Sequence, residues 1–360
     1  MSSNKLHLRP VQFVDSPIGR DGEVARLAGG MQWFAAYEVI EGGTKRTVSV
    51  AEFEATLARD HERAAALHAA ITAPRAPISL GDRILRFDQP HVVGILNVTP
   101  DSFSDGGKLE DDPQAAAEAG FDMIAKGASL IDLGGESTRP GAPLVWEGDE
   151  IKRIAPVVER LARTAPVSID TRKAAVMEAA LAGGAHMVND VSALLWDTRA
   201  AEVVAKAGVP VVLMHSPDPA KGPHGGPNTG RAYADPLIET YDWLEARVAA
   251  AVAAGIDRAR IIVDPGIGFG KALSDNLALL NGLALFHGLG CPIMLGASRK
   301  RIIGALSGEA PVGERLGGSL ALALKGAEAG VQLLRVHDVV ETVQAIRVWR
   351  GMRDAALVGR

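Results

Sequence analysis

Eight short polar segments along the 360-residue chain carry the residue types that could bind and activate a substrate. Each segment follows a short apolar run and precedes a run of helical composition. If the apolar runs are parallel strands closed into a barrel, their carboxyl ends bring all eight segments to the same rim. The segments are residues 97–105, 134–141, 170–171, 189–190, 214–215, 264–271, 298–300 and 335–338.

Four residues of these segments could recognise a flat heterocycle. Asp170, Asn189 and Asp264 would present a carboxylate, an amide and a second carboxylate from three different strands. A carboxylate accepts two parallel N–H bonds, and an amide both donates and accepts, so this set suits an amino-amide ring edge. Lys300 would donate to a ring carbonyl. The pattern therefore predicts a heterocycle pocket.

A second set predicts a phosphate or diphosphate site. The first and last strands of a closed sheet are neighbours, which would place Asn97 beside Arg335 and His337. An amide next to two groups that can carry positive charge is typical of a phosphate site. A divalent cation bound there would neutralise more of the charge.

Simpler explanations exist for each feature. A lone Asp after a strand often caps the following helix, but Asp170, Asn189 and Asp264 share one structural offset, which favours ligand contact. The glycine-rich run 266–271 fits neither the dinucleotide fingerprint nor the phosphate-binding loop of nucleotide hydrolases. That run indicates only that the backbone passes close to another group.

Other candidates also have ordinary alternatives. Lys300 has an arginine on each side and could belong to a solvated basic face, and His337 could be a core or capping histidine. Phe103 and Phe269 could pack loops or stack on a flat ring. His215 could be functional or structural.

The positioning elements follow from alternating apolar runs and Ala-rich segments after residue 90. Parallel strands buried on both faces have near-continuous apolar sequences, and about eight strand–helix units predict a closed (β/α)₈ (TIM) barrel. The predicted strands are residues 91–96, 129–133, 167–169, 187–188, 210–214, 261–263, 292–295 and 333–336. The predicted helices are residues 112–126, 148–163, 173–182, 199–207, 235–254, 274–285, 313–329 and 338–350.

The first part of the chain differs from the rest and predicts an N-terminal α+β extension over residues 1–77 before a barrel domain over 78–360. Its features are short strands at 31–37 and 45–50 around a Gly-Gly turn, a Ser49/Glu52 capping box that opens a helix to about Ile71, a linker at 73–77 and a following hairpin at 78–87. Because Trp33, Phe34 and Tyr37 need burial, the extension should pack on the barrel exterior or its bottom.

Composition excludes several classes of protein. The chain is 47% hydrophobic, which excludes a mostly disordered protein, and its net charge of -5 offers no basic face to nucleic acid. No apolar run is long enough to span a membrane, and the N-terminus lacks the apolar core of a signal peptide. The single Cys291 lies in an apolar run and predicts a buried thiol. We therefore expect a soluble cytoplasmic protein.

The polar segments resemble those of the dihydropteroate synthase family, the folate-pathway enzymes that sulfonamides inhibit. The resemblance covers roughly residues 78–350 and depends on several motifs in the right order. They are GILNVTPDSFSDGG (94–107), GGESTRPG (134–141), SIDT (168–171), NDV (189–191), LMH (213–215), DPGIGFGK (264–271), SRK (298–300) and RVHD (335–338).

The resemblance implies condensation of 6-hydroxymethyl-7,8-dihydropterin diphosphate with 4-aminobenzoate, which yields 7,8-dihydropteroate and diphosphate. It implies these site residues: Asp170, Asn189, Met214, Asp264, Phe269 and Lys300 for the pterin; Asn97, Thr138, Arg335 and His337 for the diphosphate; Phe103, Arg139, Pro140, Phe269 and Ser298 for 4-aminobenzoate; and Asp101, Thr138, Arg139 and Lys300 near the reacting carbon. Mg²⁺ would bind at Asn97, and a homodimer would form through the helices that include residues 313–330.

Two other functions remain open at this stage. A methyltransferase that passes a methyl group from methyltetrahydrofolate to a corrinoid would share the pterin ligands but would not need Arg335 and His337 for a diphosphate. A catalytically silent relative would lose loop residues first, whereas Asp101, Thr138 and Arg139 are all present. The extension and the segment after His215 depart from the family pattern, which puts a family role for His215 in doubt.

Overall fold

The computed structural model describes residues 5–99, 112–137, 142–217 and 233–358. The chain begins with an antiparallel sheet in which the central strand pairs with the other three. Its strands are β1 (His7–Val14), β2 (Ala25–Arg26), β3 (Trp33–Glu41) and β4 (Thr44–Ser49). β3 and β4 form the predicted hairpin around Gly42-Gly43, two glycines with positive φ that a tight turn requires.

The helical part of the extension differs from the single helix predicted to about Ile71. It consists of α1 (Val50–Ala55), α2 (Leu57–Asp60) and α3 (Glu62–Thr72). Ser49 caps α1 by accepting the N–H of Glu52 at 3.2 Å, as predicted. Thr56 and His61 leave helical backbone geometry, and the His61 side chain caps α3. These two breaks are the reason that the continuous helix does not form.

The predicted linker and hairpin connect the extension to the barrel. Arg75 anchors residues 73–77, since its guanidinium donates to the carbonyls of Ala70, Ala73 and His287. The hairpin of β5 (Ile78–Leu80) and β6 (Arg83–Leu85) then closes the amino-terminal end of the barrel, where its apolar residues pack under the strands. The division into units 1–77 and 78–360 remains a prediction.

Eight parallel strands form the predicted barrel. They pair in the order β12-β11-β10-β9-β8-β7-β14-β13, and a parallel bridge between Val263 and Ile293 closes the ring. Strands β9 to β12 are buried along their whole length, as expected for a sheet covered on one face and filled on the other. The strands are β7 (His91–Asn97), β8 (Leu130–Gly134), β9 (Val167–Asp170), β10 (Met187–Asp190), β11 (Val211–Met214), β12 (Ile261–Asp264), β13 (Met294–Leu295) and β14 (Leu333–Val336).

The surrounding helices agree closely with the apolar periodicity. Asp112 and Asp235 cap α4 and α8, each followed by a proline at the first helical position. α10 was not predicted, and Leu283–Leu289 form a 3₁₀ helix instead of extending α9 to residue 285. The helices are α4 (Pro113–Ala125), α5 (Glu147–Leu161), α6 (Ala174–Ala182), α7 (Ala200–Ala207), α8 (Pro236–Ala253), α9 (Leu273–Asn281), α10 (Arg301–Leu306), α11 (Leu316–Glu328) and α12 (Val339–Leu357).

The first strands and helices of the chain contact the outer elements of the barrel. Phe34 and Tyr37 are buried, while Trp33 is half-buried beneath the guanidinium of Arg26. β1 and α3 lie against the 3₁₀ helix Leu283–Leu289. Within the described ranges, no helix combines the length and the apolar character needed to cross a bilayer.

Candidate active site

The carboxyl ends of the barrel strands bring the predicted heterocycle ligands together. Asp170 and Asp264 end β9 and β12, Asn189 lies next to the end of β10, and Met214 ends β11. All four are buried, with exposed fractions between 4% and 8%. Asp170 and Asn189 do not cap the helices that follow them, because Lys173 and Arg199 occupy those capping positions. This result argues against the capping explanation for these two residues.

Arg335 is the central cation of the rim. Its Nε donates to Oδ2 of Asp132 at 2.5 Å, and one Nη donates to Oδ2 of Asp170 at 2.6 Å. Arg335 was predicted to bind diphosphate, yet one of its donor groups is held by Asp170, a predicted heterocycle ligand, and another by Asp132. Its binding of diphosphate remains a prediction.

Asp132 belongs to the same cluster and was missed by the sequence reasoning. It is fully buried on β8 and also accepts a hydrogen bond from Nδ2 of Asn189 at 2.9 Å. No described group donates to Oδ1 of Asp132 or Oδ1 of Asp170, although both atoms are buried. The available signal was a carboxylate in the middle of the apolar run 129–133, which a barrel interior tolerates only with a partner.

Asp264 lies beside Arg335 rather than across the molecule from it. A Cβ placed at Gly296 would lie 3.7 Å from Oδ2 of Asp264 and 3.8 Å from Cδ of Arg335. Oδ1 of Asp264 accepts the N–H of Gly266 at 2.7 Å, so one oxygen shapes the turn and Oδ2 faces the rim. The ends of β12 and β14 therefore lie at the same site.

The three basic residues 299–301 have three different environments, and that of Lys300 excludes the solvated-face explanation. Lys300 donates to the carbonyl of Ile267 and lies 4.3 Å from the ring centroid of Phe269. Arg299 instead pairs with Asp338, its Nε lying 3.0 Å from Oδ2, and only Arg301 is exposed.

The glycine-rich run does bring the backbone close to other groups. Gly266 and Gly268 have positive φ, and a Cβ at Gly266 would lie 2.0 Å from the His215 carbonyl oxygen. Lys271 fixes this turn by donating to the carbonyls of Gly266 at 2.7 Å, Phe269 at 3.3 Å and His215 at 3.4 Å. The buried His215 ring packs edge-on against Trp243. These contacts give His215 a structural role.

The remaining described candidates lie where the barrel closes. Ser298 Oγ is 3.1 Å from Nδ1 of His337 and accepts its backbone N–H at 3.2 Å, which joins the end of β13 to the end of β14. Asn97 ends β7, and its Oδ1 would be 2.9 Å from a Cβ at Gly134. The absence of a side chain at Gly134 leaves room for the Asn97 amide.

Burial shifts the protonation of the rim. It raises the pKa of Asp170 to about 7 and that of Asp264 in the same direction, although nearby cations oppose the change. Burial lowers the pKa of Lys300 to about 8 and that of Lys271 to about 7, against the attraction of Asp264. Burial also opposes the charge on Arg335, but the carboxylates of Asp132 and Asp170 outweigh it and raise the pKa of the guanidinium.

Five predicted site residues lie outside the described part of the chain: Asp101, Phe103, Thr138, Arg139 and Pro140. A buried ion cluster was also missed. It joins Glu136 and Glu150 to Arg172 and Lys173, of which the last two follow β9 closely. Its sequence signal was weak, because Glu136, Arg172 and Lys173 follow strands and Glu150 lies in the first turn of α5, where charged residues are more often exposed.

The barrel region of the chain is similar in sequence to known pterin-binding enzymes. A family model described as pterin binding enzyme matches residues 93–337. The dihydropteroate synthase of Escherichia coli (strain K12) is 45% identical over 266 residues, which are 73% of this chain and 92% of that protein.

Solved structures match the same region. The Xanthomonas albilineans dihydropteroate synthase with 4-aminobenzoic acid has 46% identity and a TM-score of 0.70, over 77% of this chain and 98% of that chain. The same organism's enzyme in complex with 7,8-dihydropteroate has 44% identity and a TM-score of 0.68, over 77% of this chain and 99% of that chain. This chain, a transferase, therefore belongs to the dihydropteroate synthase family of pterin-binding enzymes.

Proposed function

We propose that the chain condenses 6-hydroxymethyl-7,8-dihydropterin diphosphate with 4-aminobenzoate to form 7,8-dihydropteroate and diphosphate. The observation that carries this proposal is the bridge from Arg335 to Asp132 and Asp170 at the barrel mouth. The bridge joins a carboxylate pocket suited to a pterin with a cation suited to a phosphate. The relatives with 4-aminobenzoic acid and 7,8-dihydropteroate supply the identity of the substrates.

The pterin pocket would use Asp170, Asn189, Asp264 and Lys300. The carboxylates accept N–H bonds from the amino-amide edge of the ring, and Lys300 donates to its carbonyl. Burial makes these bonds stronger, because little water competes for the same groups. Met214 and Phe269 would contact the ring faces, and the orphaned Oδ1 of Asp170 is an acceptor still available to the ligand.

The diphosphate would bind at Asn97, His337 and the remaining donors of Arg335, with Thr138 as a further contact. The residues present fit Mg²⁺, because the Asn97 amide offers a hard oxygen ligand and Mg²⁺ typically binds one or two protein oxygens plus substrate phosphates. When bound, Mg²⁺ would neutralise phosphate charge.

The chain's own residues would act by position and charge rather than as nucleophiles. The bond between the pterin methylene carbon and the diphosphate oxygen breaks, and the electron pair leaves with the diphosphate. The resulting cation is delocalised into the pterin ring. The neutral amine of 4-aminobenzoate then forms the new C–N bond, and its proton passes to solvent. Arg335 and His337 stabilise the departing charge, and the pocket holds the ring in place.

The second substrate would bind over the pterin, against Phe103, Arg139, Pro140, Phe269 and Ser298. Asp101, Thr138 and Arg139 would lie near the reacting carbon, with Lys300 beneath it. Two contacts support this set, because Ser298 Oγ lies 3.1 Å from Nδ1 of His337 and Lys300 Nζ lies 4.3 Å from the ring centroid of Phe269. The roles of the others remain predictions.

A radiochemical assay tests the proposal directly. Labelled 4-aminobenzoate is incubated with the enzyme, Mg²⁺ and the pterin diphosphate, and product formation is compared with a reaction that contains the pterin alcohol instead. We expect product only with the diphosphate, and about a 100-fold loss of kcat/KM in Lys300→Ala. Methyl transfer from methyltetrahydrofolate to a corrinoid without pteroate formation would contradict the proposal, and unaltered pterin-diphosphate affinity in Lys300→Ala would remove Lys300 from the pocket.

The cytoplasmic location and the homodimer through residues 313–330 remain predictions. The extension contacts the carboxyl end of that region, since Gln32 donates to the Ala327 carbonyl at 3.4 Å. A second copy would therefore use the amino-terminal half of α11, where Leu316 is 37% exposed. A monomeric mass by light scattering at micromolar concentration would contradict the homodimer.

A further inference from the structure

Lys173 lies at the centre of a buried set of contacts beside the rim. Its ammonium nitrogen is 2.6 Å from Oε2 of Glu150, 3.1 Å from Oε1 of Glu136 and 2.7 Å from the carbonyl oxygen of Val145. Only 8% of its side chain is exposed. One buried cation thus contacts three groups from the β8–α5 region of the chain.

Two of those contacts join residues on either side of the segment that contains Thr138 and Arg139 in sequence. Glu136 precedes this segment and Val145 follows it. The two residues also contact each other, because Oε1 of Glu136 accepts the Val145 N–H at 3.0 Å. Lys173 and Glu136 together therefore hold Val145 through both its N–H and its carbonyl.

The same short connection carries a rim carboxylate. Asp170 ends β9, and Lys173 follows three residues later at the amino end of α6. The intervening Thr171 is fixed by its N–H, which donates to the Asn189 carbonyl at 3.1 Å. The spacing between Asp170 and Lys173 is therefore set by β9 and its neighbour β10.

A stabilising role alone is a poor explanation for this cluster. Desolvating ionic groups is costly, and well-packed apolar residues of similar volume often stabilise a core as well or better. The second cation, Arg172, pairs with Glu136 at 3.4 Å and stacks 3.7 Å above the Trp196 ring. The cluster thus fixes its members in defined directions, which apolar packing would not provide, although Glu150 Oε1 and Arg172 Nη1 have no partner among the described groups.

We propose that Lys173 is a positioning residue for the reaction, fixing both ends of segment 137–144 relative to Asp170. It touches no substrate in this account. It acts through Glu136 and Val145, which flank the proposed site residues Thr138 and Arg139 in sequence. This inference rests on the proposed function.

The test separates positioning from general stability. We compare two variants with the parent enzyme. One is Lys173→Met, and the other is the double variant Lys173→Met/Glu150→Gln, which avoids leaving Glu150 charged and unpaired. A displacement of the groups around the reacting atoms by about 1 Å can lower the reaction rate about 100-fold. We therefore expect kcat to fall about 100-fold while the Kd for pterin diphosphate stays within about threefold. Lys173→Arg retains a cation and should recover part of kcat. Lys152→Met, an exposed lysine on α5, is the matched control and should match the parent.

Each outcome decides the question. A folded double variant with kcat within about threefold of the parent would overturn the proposal. A parallel loss of kcat and of pterin-diphosphate affinity would also overturn it, because Lys173 would then support the pterin pocket or the fold in general. If the parent enzyme itself forms no pteroate, the proposed function fails, and that result is read before any variant is made.

Discussion

The barrel rim and the interface between the extension and the barrel use arginines differently. At the rim, Arg335 contacts two carboxylates whose other oxygens have no donor among the described residues. At the interface, the buried Arg353 donates to the neutral carbonyls of Val14 and Met31, each at 3.1 Å. The rim therefore leaves two carboxylate oxygens that a ligand can satisfy, whereas the interface arginine also contacts Asp15 at 3.4 Å and leaves only its own Nε without a described partner.

The surroundings of these two regions differ in the same way. Phe34, Tyr37 and Phe53 form an aromatic cluster inside the extension, and the ion pairs lie at its edge. Lys5, for example, pairs with Asp242 at 2.8 Å, and both side chains are 28% exposed. Ion pairs at the edge of the extension are thus partly exposed, whereas the carboxylates paired with Arg335 at the rim are buried.

The largest effect should follow removal of the rim cation. In Arg335→Met, Asp132 and Asp170 remain buried without a positive partner, so at least one carboxylate becomes protonated and the pterin and diphosphate sites lose their link. We expect kcat/KM to fall about 1,000-fold, measured by pteroate formation. Arg350→Met on α12, whose side chain is 47% exposed, is the control. Retention of more than about a tenth of the activity would contradict the distinction between the two regions.

The pH dependence of Lys300 sharpens the comparison, because activity and stability should move in opposite directions. Burial lowers the pKa of Lys300 to about 8, so the rim loses this cation as the pH rises above 8 and kcat/KM should fall. Between pH 8 and the unfolded pKa near 10.5, Lys300 binds more protons in the unfolded chain than in the folded chain. The free energy of unfolding should therefore increase with pH across this window.

Lys300→Arg provides the check on that prediction. A guanidinium keeps its charge throughout this range, so the alkaline fall in kcat/KM should disappear even if the maximum rate is lower. The measurement is kcat/KM for pterin diphosphate between pH 6 and pH 9.5. An unchanged alkaline fall in the arginine variant would assign it to another group.

A smaller effect, on stability alone, is expected at the interface. Arg353→Met removes charge-assisted hydrogen bonds to Val14 and Met31 and leaves two carbonyls to find other donors. We expect the free energy of unfolding to fall by about 2–4 kcal/mol, with kcat within about twofold of the parent. Urea unfolding and the pteroate assay measure the two quantities. A large loss of activity at unchanged stability would mean that the extension takes part in the reaction.

The smallest effect should come from the edge of the same interface. Lys5→Met breaks ion pairs with Asp242 and Glu245 that are partly exposed and screened by salt. The expected loss is below about 1 kcal/mol and should shrink further in 0.5 M NaCl. A loss as large as that of Arg353→Met would show that exposure does not separate the two kinds of contact.

Sequence patterns predicted the regular parts of the barrel well. β9 was predicted at 167–169 and lies at Val167–Asp170, and α7 was predicted at 199–207 and lies at Ala200–Ala207. These elements have continuous apolar runs or strong periodicity and clear boundaries. The break of the extension helix at Thr56 and His61 was not predicted, although both residues are weak helix formers. The segment between them buries no residue, and the contacts at the break are local: Thr56 donates to the Glu52 carbonyl, and the His61 side chain caps α3.

Some residues of the site were predicted from the sequence, and others were not. Residue type and offset from a strand were enough to predict Asp170, Asn189, Asp264, Lys300 and Arg335 as neighbours on one rim. Asp132 and Lys173 were missed because each depends on partners far away in sequence: Arg335 lies 203 residues from Asp132, and Glu150 lies 23 residues from Lys173. Nothing in the local pattern distinguishes these residues from an ordinary strand acid or a surface lysine.

The sequence by itself determined the barrel, the rim and the chemical types that meet there, because the period of the apolar pattern and the direction of parallel strands fix which ends converge. Only the tertiary structure decided which partner each charge takes. Arg335 pairs with Asp132 and Asp170, Arg299 pairs with Asp338, and Lys173 contacts Glu136, Glu150 and Val145. The physical reason is that burial makes each buried charge depend on a partner, and the three-dimensional packing selects that partner.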